Sequence, residues 1–220
     1  MMTWAGWVVA AALLFWLMSW GASRMLYYPM RYPGGDWSAQ QDLGAQDVSL
    51  TASDGTKLHA WWIPASDSKL ATLHLHGNAG NITHRGLTAR NIVAAGSGVL
   101  LLDYRGYGKS EGRATERGFY QDAEAAYEYL VAEGYTSRRI FIHGESLGTA
   151  VAARLAETKA SAGLVLEAPF TSASAVAGRV LPLLGPLLVG GYDTQVRQLW
   201  AETTAKYLIP GSGDGKVYTT

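Results

Sequence analysis

The sequence contains no cysteine. That excludes disulfides, thiolate metal ligands and a cysteine nucleophile, and it leaves the redox compartment open. Charge is sparse too: charged residues make up 16%, against about 25% in an ordinary soluble domain. Lys and Arg number 18, as do Asp and Glu, so the formal net charge is zero. There is no basic excess of the kind a nucleic-acid binder carries. A third scarcity is positional. The five histidines are His59, His74, His76, His84 and His143, and none lies in the last third of the chain.

What remains is 220 residues, 48% of them hydrophobic. That is enough for one domain with a sizeable core. No internal repeat or interior break interrupts it.

Trp4 to Ala22 carries no charged residue over 19 positions. A bilayer core takes about 20 apolar residues in a helix. Trp4, Trp7, Trp16 and Trp20 lie toward the two ends of the run, as interfacial anchors do. The alternative is a cleaved signal peptide, but a basic leading region is missing. Arg24 and Arg31 follow the run and no basic residue precedes it, which places the following domain on the cytoplasmic side. The expected organisation is a transmembrane or signal-anchor segment at 1–23, a connector at 24–46, an α/β domain at 47–194 and an atypical tail at 195–220.

Within the domain, Asp47–Leu50 and Lys57–Ile63 flank Ser53-Asp54-Gly55-Thr56, which reads as a hairpin. Leu70–Leu75, Val99–Leu102, Arg139–His143 and Leu164–Leu166 are short apolar runs. Ile82–Ala95, Thr115–Glu133 and Leu147–Ala156 have helical spacing. Short apolar strands alternating with helices predict a mostly parallel twisted sheet, covered by helices on both faces.

The strongest motif is Gly144-Glu145-Ser146-Leu147-Gly148, between a predicted strand and a predicted helix. There a strand turns sharply into a helix and presents Ser146 at the tip. The positions two away must be small, hence Gly144 and Gly148. The helix N-terminus, with the Leu147 N–H, faces a developing oxyanion. A second donor comes from the loop after an earlier strand. Here that loop is His76-Gly77-Asn78-Ala79-Gly80-Asn81, with Asn78 as candidate donor, Ala79 as the alternative, and His76 and Gly77 shaping the turn.

His74 and His76 also admit a metal-pair reading, but zinc wants three or four ligands and no further ligand is near in sequence. No metal or cofactor is expected. Gly108-Lys109-Ser110 has the tail of a phosphate-binding loop. Asp103 stands where that motif needs its first glycine, and no helix starts at Ser110.

These segments, with Asp103-Tyr104-Arg105-Gly106-Tyr107-Gly108-Lys109-Ser110 and Glu167-Ala168-Pro169-Phe170-Thr171-Ser172, resemble the α/β-hydrolase superfamily. The branch they resemble is that of the BEM46-like and ABHD13-like membrane-anchored hydrolases. The resemblance covers about Tyr27 to Thr194. It implies the α/β-hydrolase fold and a serine hydrolase acting on an ester, thioester or amide through an acyl-Ser146 intermediate. The substrate would be a small acyl compound or a short peptide. It also implies a cap or lid role for the apolar run from Leu181 to Val189.

The resemblance further implies an acid and then a histidine after the serine. No histidine follows Ser146, and of the aspartates only Asp193 and Asp214 follow the last matching segment. His76, His143 and Glu145 are the conceivable substitutes, although His143 ends a strand and Glu145 is expected to face away from Ser146. The tail from Gln195 shows no expected strand. The fold is therefore expected to be incomplete at the C-terminus, through truncation or a frame shift near Thr194, with the sheet edge after Leu166 exposed. A catalytically inactive membrane-anchored scaffold or binding protein is the alternative function.

Overall fold

The computed structural model describes residues 4–24, 26–66, 68–170, 172–180, 182, 185–192, 206–209 and 218–219. The helices are α1 (Trp4–Arg24), α2 (Ala39–Asp42), α3 (Gly86–Ala94), α4 (Glu116–Ala132), α5 (Leu147–Thr158), α6 (Ala173–Val180) and α7 (Gly185–Leu188). The strands are β1 (Tyr28–Pro29), β2 (Gln46–Thr51), β3 (Lys57–Ile63), β4 (Ala71–Leu75), β5 (Ala79–Gly80), β6 (Gly98–Asp103), β7 (Ile140–Glu145), β8 (Gly163–Glu167), β9 (Lys206–Ile209) and β10 (Tyr218–Thr219).

Eight strands form one sheet in the order β10-β9-β8-β7-β4-β6-β3-β2. The five strands from β6 to β9 in that order run parallel. The hairpin β2–β3 joins β6 antiparallel, and β10 joins β9 antiparallel. All five residues of β4 and all six of β6 are buried, because these central strands are covered on both faces and need no polar alternation.

One face carries Leu73, Leu75, Leu100, Leu102 and Ile142 against Phe119, Ala123, Tyr127 and Leu130 of α4 and Ala150 and Val151 of α5. The small residues of α5 let it lie close to the sheet. The other face carries Trp61, Ile63, Val99 and Leu101 against Ala89 of α3.

Several expectations shift in detail. The apolar run from Ile82 begins as a 3-10 turn, Ile82–Arg85, before α3. Asn81 caps it through Thr83 N, and the Ile82 N–H goes to Asp103 Oδ1 at 3.0 Å. The connector is integrated into the domain: Leu26 and Tyr27 pack on the main core and Trp37 and Leu43 on the smaller one. β1 pairs in parallel with β5. The tail supplies β9, parallel to β8 in the register Leu164↔Lys206 to Glu167↔Ile209, so β8 is not the exposed edge the sequence suggested. Among the described residues no helix is long and apolar enough to cross a membrane; the side chains of α1 described without a break run from Trp7 to Ser19.

Candidate active site

β7 ends at Glu145, and α5 begins at Leu147. Ser146 makes the turn between them with φ 50° and ψ −115°, outside the regions comfortable for an L-residue. Three hydrogen bonds over-determine it. Its N–H donates to Glu167 O at 2.8 Å, and its carbonyl accepts from Thr149 N at 2.9 Å and Thr149 Oγ1 at 2.6 Å. A Cβ on Gly148 would overlap the Leu75 carbonyl, and one on Gly144 would stand 2.5 Å from Gly148 O. The elbow glycines are thus required by close backbone approach, as the spacing implied.

The loop after β4 lies against this turn. A Cβ on Gly77 would sit 3.4 Å from Ser146 Cβ and 3.5 Å from Glu145 Oε1. Asn78 is fixed on two sides. Its Nδ2 donates to Leu26 O at 3.0 Å, and its carbonyl accepts from Tyr28 N at 2.9 Å and Tyr107 Oη at 2.7 Å. Among the described residues no hydrogen bond takes up the N–H of Asn78 or of Leu147. Ser146, Gly77 and Asn78 share a cavity of about 490 Å³ with Met30, His84, Arg85 and Glu145.

His76 lies beneath this loop, fully buried. Its Nδ1 is 2.7 Å from Gly77 O, its ring meets Tyr104 and Tyr107, and its Nε2 is 3.9 Å from Asp103 Oδ1. Burial, then the nearby Arg85 charge, lowers its pKa to about 3. It is therefore neutral and braces the turn. Burial pushes Asp103 above the ordinary carboxylate range, against the pull of His59.

His143 is also removed from the cavity. Its Nδ1 is 3.1 Å from His74 Nδ1 and its Nε2 is 3.5 Å from Glu167 Oε2; the contact with His143 holds Glu167 below its ordinary pKa. Burial, then the charges of His143, His76 and Arg85, drives the His74 pKa well down. Among the described residues no group of three or more His, Asp or Glu is arranged to hold a metal ion.

One expectation needs correcting. Glu145 does not face away: it lines the cavity and pairs with Arg85 Nη1 at 3.1 Å, while Arg85 Nη2 donates to Ala79 O at 2.8 Å. Sequence reasoning also passed over His84 and Arg85. His84 occupies the third position of the capping box headed by Asn81, and its Nδ1 lies 3.2 Å from Asn81 Oδ1. The Asn-x-x-His spacing was the available signal. Asp193 and Asp214 lie outside the described residues. Gly108-Lys109-Ser110 forms a turn against Asp103, where Ser110 Oγ donates to Asp103 O at 2.6 Å and accepts from His59 N at 2.8 Å. A Cβ on Gly108 would overlap Asp103 Oδ2, which explains the glycine without a phosphate.

Residues 66–205 match the family described as Serine aminopeptidase, S33. The chain belongs to this family. Among relatives, the hydrolase is 38% identical over 212 residues to an uncharacterized protein of Mycobacterium tuberculosis, covering 94% of this chain and 75% of that one. It is 38% identical to the Alpha/beta hydrolase domain-containing protein WAV2 of Arabidopsis thaliana, over 80% of this chain and 60% of that protein. It is 31% identical to Protein bem46 of Schizosaccharomyces pombe, over 75% and 59%. A solved esterase of Pyrococcus furiosus superposes with a TM-score of 0.60 at 28% identity, over 71% of this chain and 62% of the esterase. An α/β-hydrolase of Vibrio vulnificus gives 0.64 at 24% identity, over 76% and 65%, which speaks for the fold alone. The hydrolase is thus a BEM46-like α/β-hydrolase that spans less than two thirds of several of these longer proteins.

Proposed function

We propose that the protein is a membrane-attached serine hydrolase that cleaves an ester, thioester or amide through an acyl-Ser146 intermediate. The observation that carries this reading is the strained turn at Ser146, held beside the Gly77–Asn78 loop with the Asn78 and Leu147 N–H groups left untaken. Ser146 Oγ would attack the acyl carbon. The bond to the leaving group breaks, the serine proton passes to that group, and water then releases the acid. Asn78 N–H and Leu147 N–H would stabilise the oxyanion between those steps. In many acyl-transfer reactions such stabilisation accelerates the chemistry more than any other single effect. The apolar α1 supports attachment, with Val8, Val9, Leu13, Leu14, Phe15 and Leu17 all more than half exposed.

A serine needs a base to take its proton, and the titratable groups in the cavity are His84 and Glu145. Glu145 is paired with Arg85, and His84 Nδ1 lies against Asn81. Turnover is therefore expected to be residual, on the scale of the about 10³–10⁴-fold over water that remains when a triad member is lost. The test is labelling by a fluorophosphonate probe together with p-nitrophenyl acetate hydrolysis, with Ser146→Ala as control. Slow labelling that vanishes in Ser146→Ala is the expected result. No labelling at all would favour the second reading, an inactive scaffold, for which the pairing of Glu145 with Arg85 speaks. Robust Ser146-dependent turnover would overturn the expected weakness.

A further inference from the structure

We infer that the Ser146 cavity opens at the lipid surface, and that its substrate is an acyl ester borne by a membrane glycerolipid that reaches Ser146 from the bilayer. This rests on the membrane attachment proposed above, and adds to it the substrate class and the direction of approach.

The first observation is how short the path is from the apolar helix to the cavity. α1 ends at Arg24, and Met30 already lines the cavity beside Ser146. Six residues reach at most about 20 Å when fully extended. The path is also fastened along its length. Leu26 O accepts from the Asn78 side chain at 3.0 Å, Tyr28 N donates to Asn78 O at 2.9 Å, and Met30 N donates to Gly80 O at 2.9 Å. The loop that would stabilise the oxyanion is thus bonded directly to the segment leaving the helix.

The second observation is that α1 is docked rather than merely tethered. Ser19, inside the helix, donates to Leu188 O in α7 at 2.8 Å. A docked helix fixes the pose of the whole domain on the lipid, where a flexible linker would leave it free to tumble.

The third is the surface of the segment that reaches the cavity. Tyr28 lies in β1, Met30 follows it and lines the cavity, and Tyr32 begins a turn; they are 58%, 38% and 58% exposed. The intervening Arg31 turns elsewhere and donates to Gly112 O at 2.6 Å. Two exposed phenols and a thioether in so short a segment suit the zone where an apolar body and a polar tip are both satisfied. The boundary between headgroup and acyl chain lies at that depth, and there a glycerolipid keeps its ester carbonyls. In the reaction the bond from Ser146 Oγ to the fatty acyl carbon forms, the bond to the glycerol oxygen breaks, and the serine proton goes to that alcohol. Water then releases the fatty acid.

The lack of cysteine makes the test clean, since any introduced thiol is unique. The full chain carrying Leu13→Cys, Met30→Cys or Glu133→Cys is labelled with an environment-sensitive fluorophore and reconstituted in phosphatidylcholine vesicles. Quenching is then read with lipids bearing a nitroxide on the headgroup or deep in the acyl chain. Glu133 closes the far end of α4 and serves as the remote control. The expected pattern is deep quenching at 13, headgroup quenching at 30 and none at 133. No quenching at 13 defeats the attachment reading itself. Quenching at 13 with none at 30 leaves attachment standing and overturns the inference. A second arm compares a long-chain alkyl fluorophosphonate carried in the vesicles with a short soluble one. The vesicle-borne probe is expected to label Ser146 at least about tenfold faster, through its raised effective concentration. Equal rates would overturn the proposed substrate class.

Discussion

Ser146 holds a backbone conformation that costs a residue with a Cβ about 1–3 kcal/mol. The bonds to Glu167 O and Thr149 keep it there. Ser146→Gly should therefore stabilise the protein, by a net amount of about 1 kcal/mol after the freer unfolded chain takes back about 0.4–1 kcal/mol. Ser146→Ala, which keeps the Cβ, should not. Urea midpoints of the two variants read the difference, and an equal midpoint for Gly and Ala would show that the turn is unstrained. The serine and its two glycines were legible in the sequence because close backbone contact demands small residues at fixed spacing. The Glu145–Arg85 pair was not. Sixty positions separate its partners, and nothing local in either residue marks the other.

Elements with strong periodicity or buried apolar runs were legible to within a few residues. α4 is the clearest case. Thr115 caps it, accepting from Gly118 N at 3.1 Å, and Gly134, at φ 93°, follows its end. Thr115→Ala should cost about 1 kcal/mol, read as a lower thermal midpoint with unchanged far-ultraviolet dichroism. A loss below a few tenths of a kcal/mol would mean water serves the Gly118 N–H equally well. Short elements escaped. β1 and β5 have two residues each, and β9 is a four-residue run next to a proline. A run of that length has no period to detect; β9 is defined by its neighbour β8 rather than by its own sequence.

For the molecule as a whole, the buried histidines set the acid limit. His74 and His76 lie within the sheet and under the cavity loop, and burial is the first cause of lowered pKa in both. The sign follows directly. Below an ordinary histidine pKa of about 6.5 the unfolded chain takes up protons that the folded one refuses, so stability falls with falling pH. The fall should begin near pH 6.5 and, for His76, continue to about pH 3. Urea midpoints between pH 8 and pH 4 should show it, and His76→Gln should flatten the slope. An unchanged slope in that variant would assign the acid lability to other groups. The class of fold was visible in the alternation of strands and helices. The partners of each histidine were not, because they depend on which strands become neighbours.

The pairing of β1 with β5 has one more implication, a mechanical one. Two parallel strands fastened by Tyr28 N to Asn78 O and Met30 N to Gly80 O resist a pull along their length in shear. Any tension applied through α1 would reach the Gly77–Asn78 loop before it reached the main sheet. Once the Ser19 contact with α7 yields, the clasp beside Ser146 is therefore the next part of the fold to bear load from the N-terminal helix.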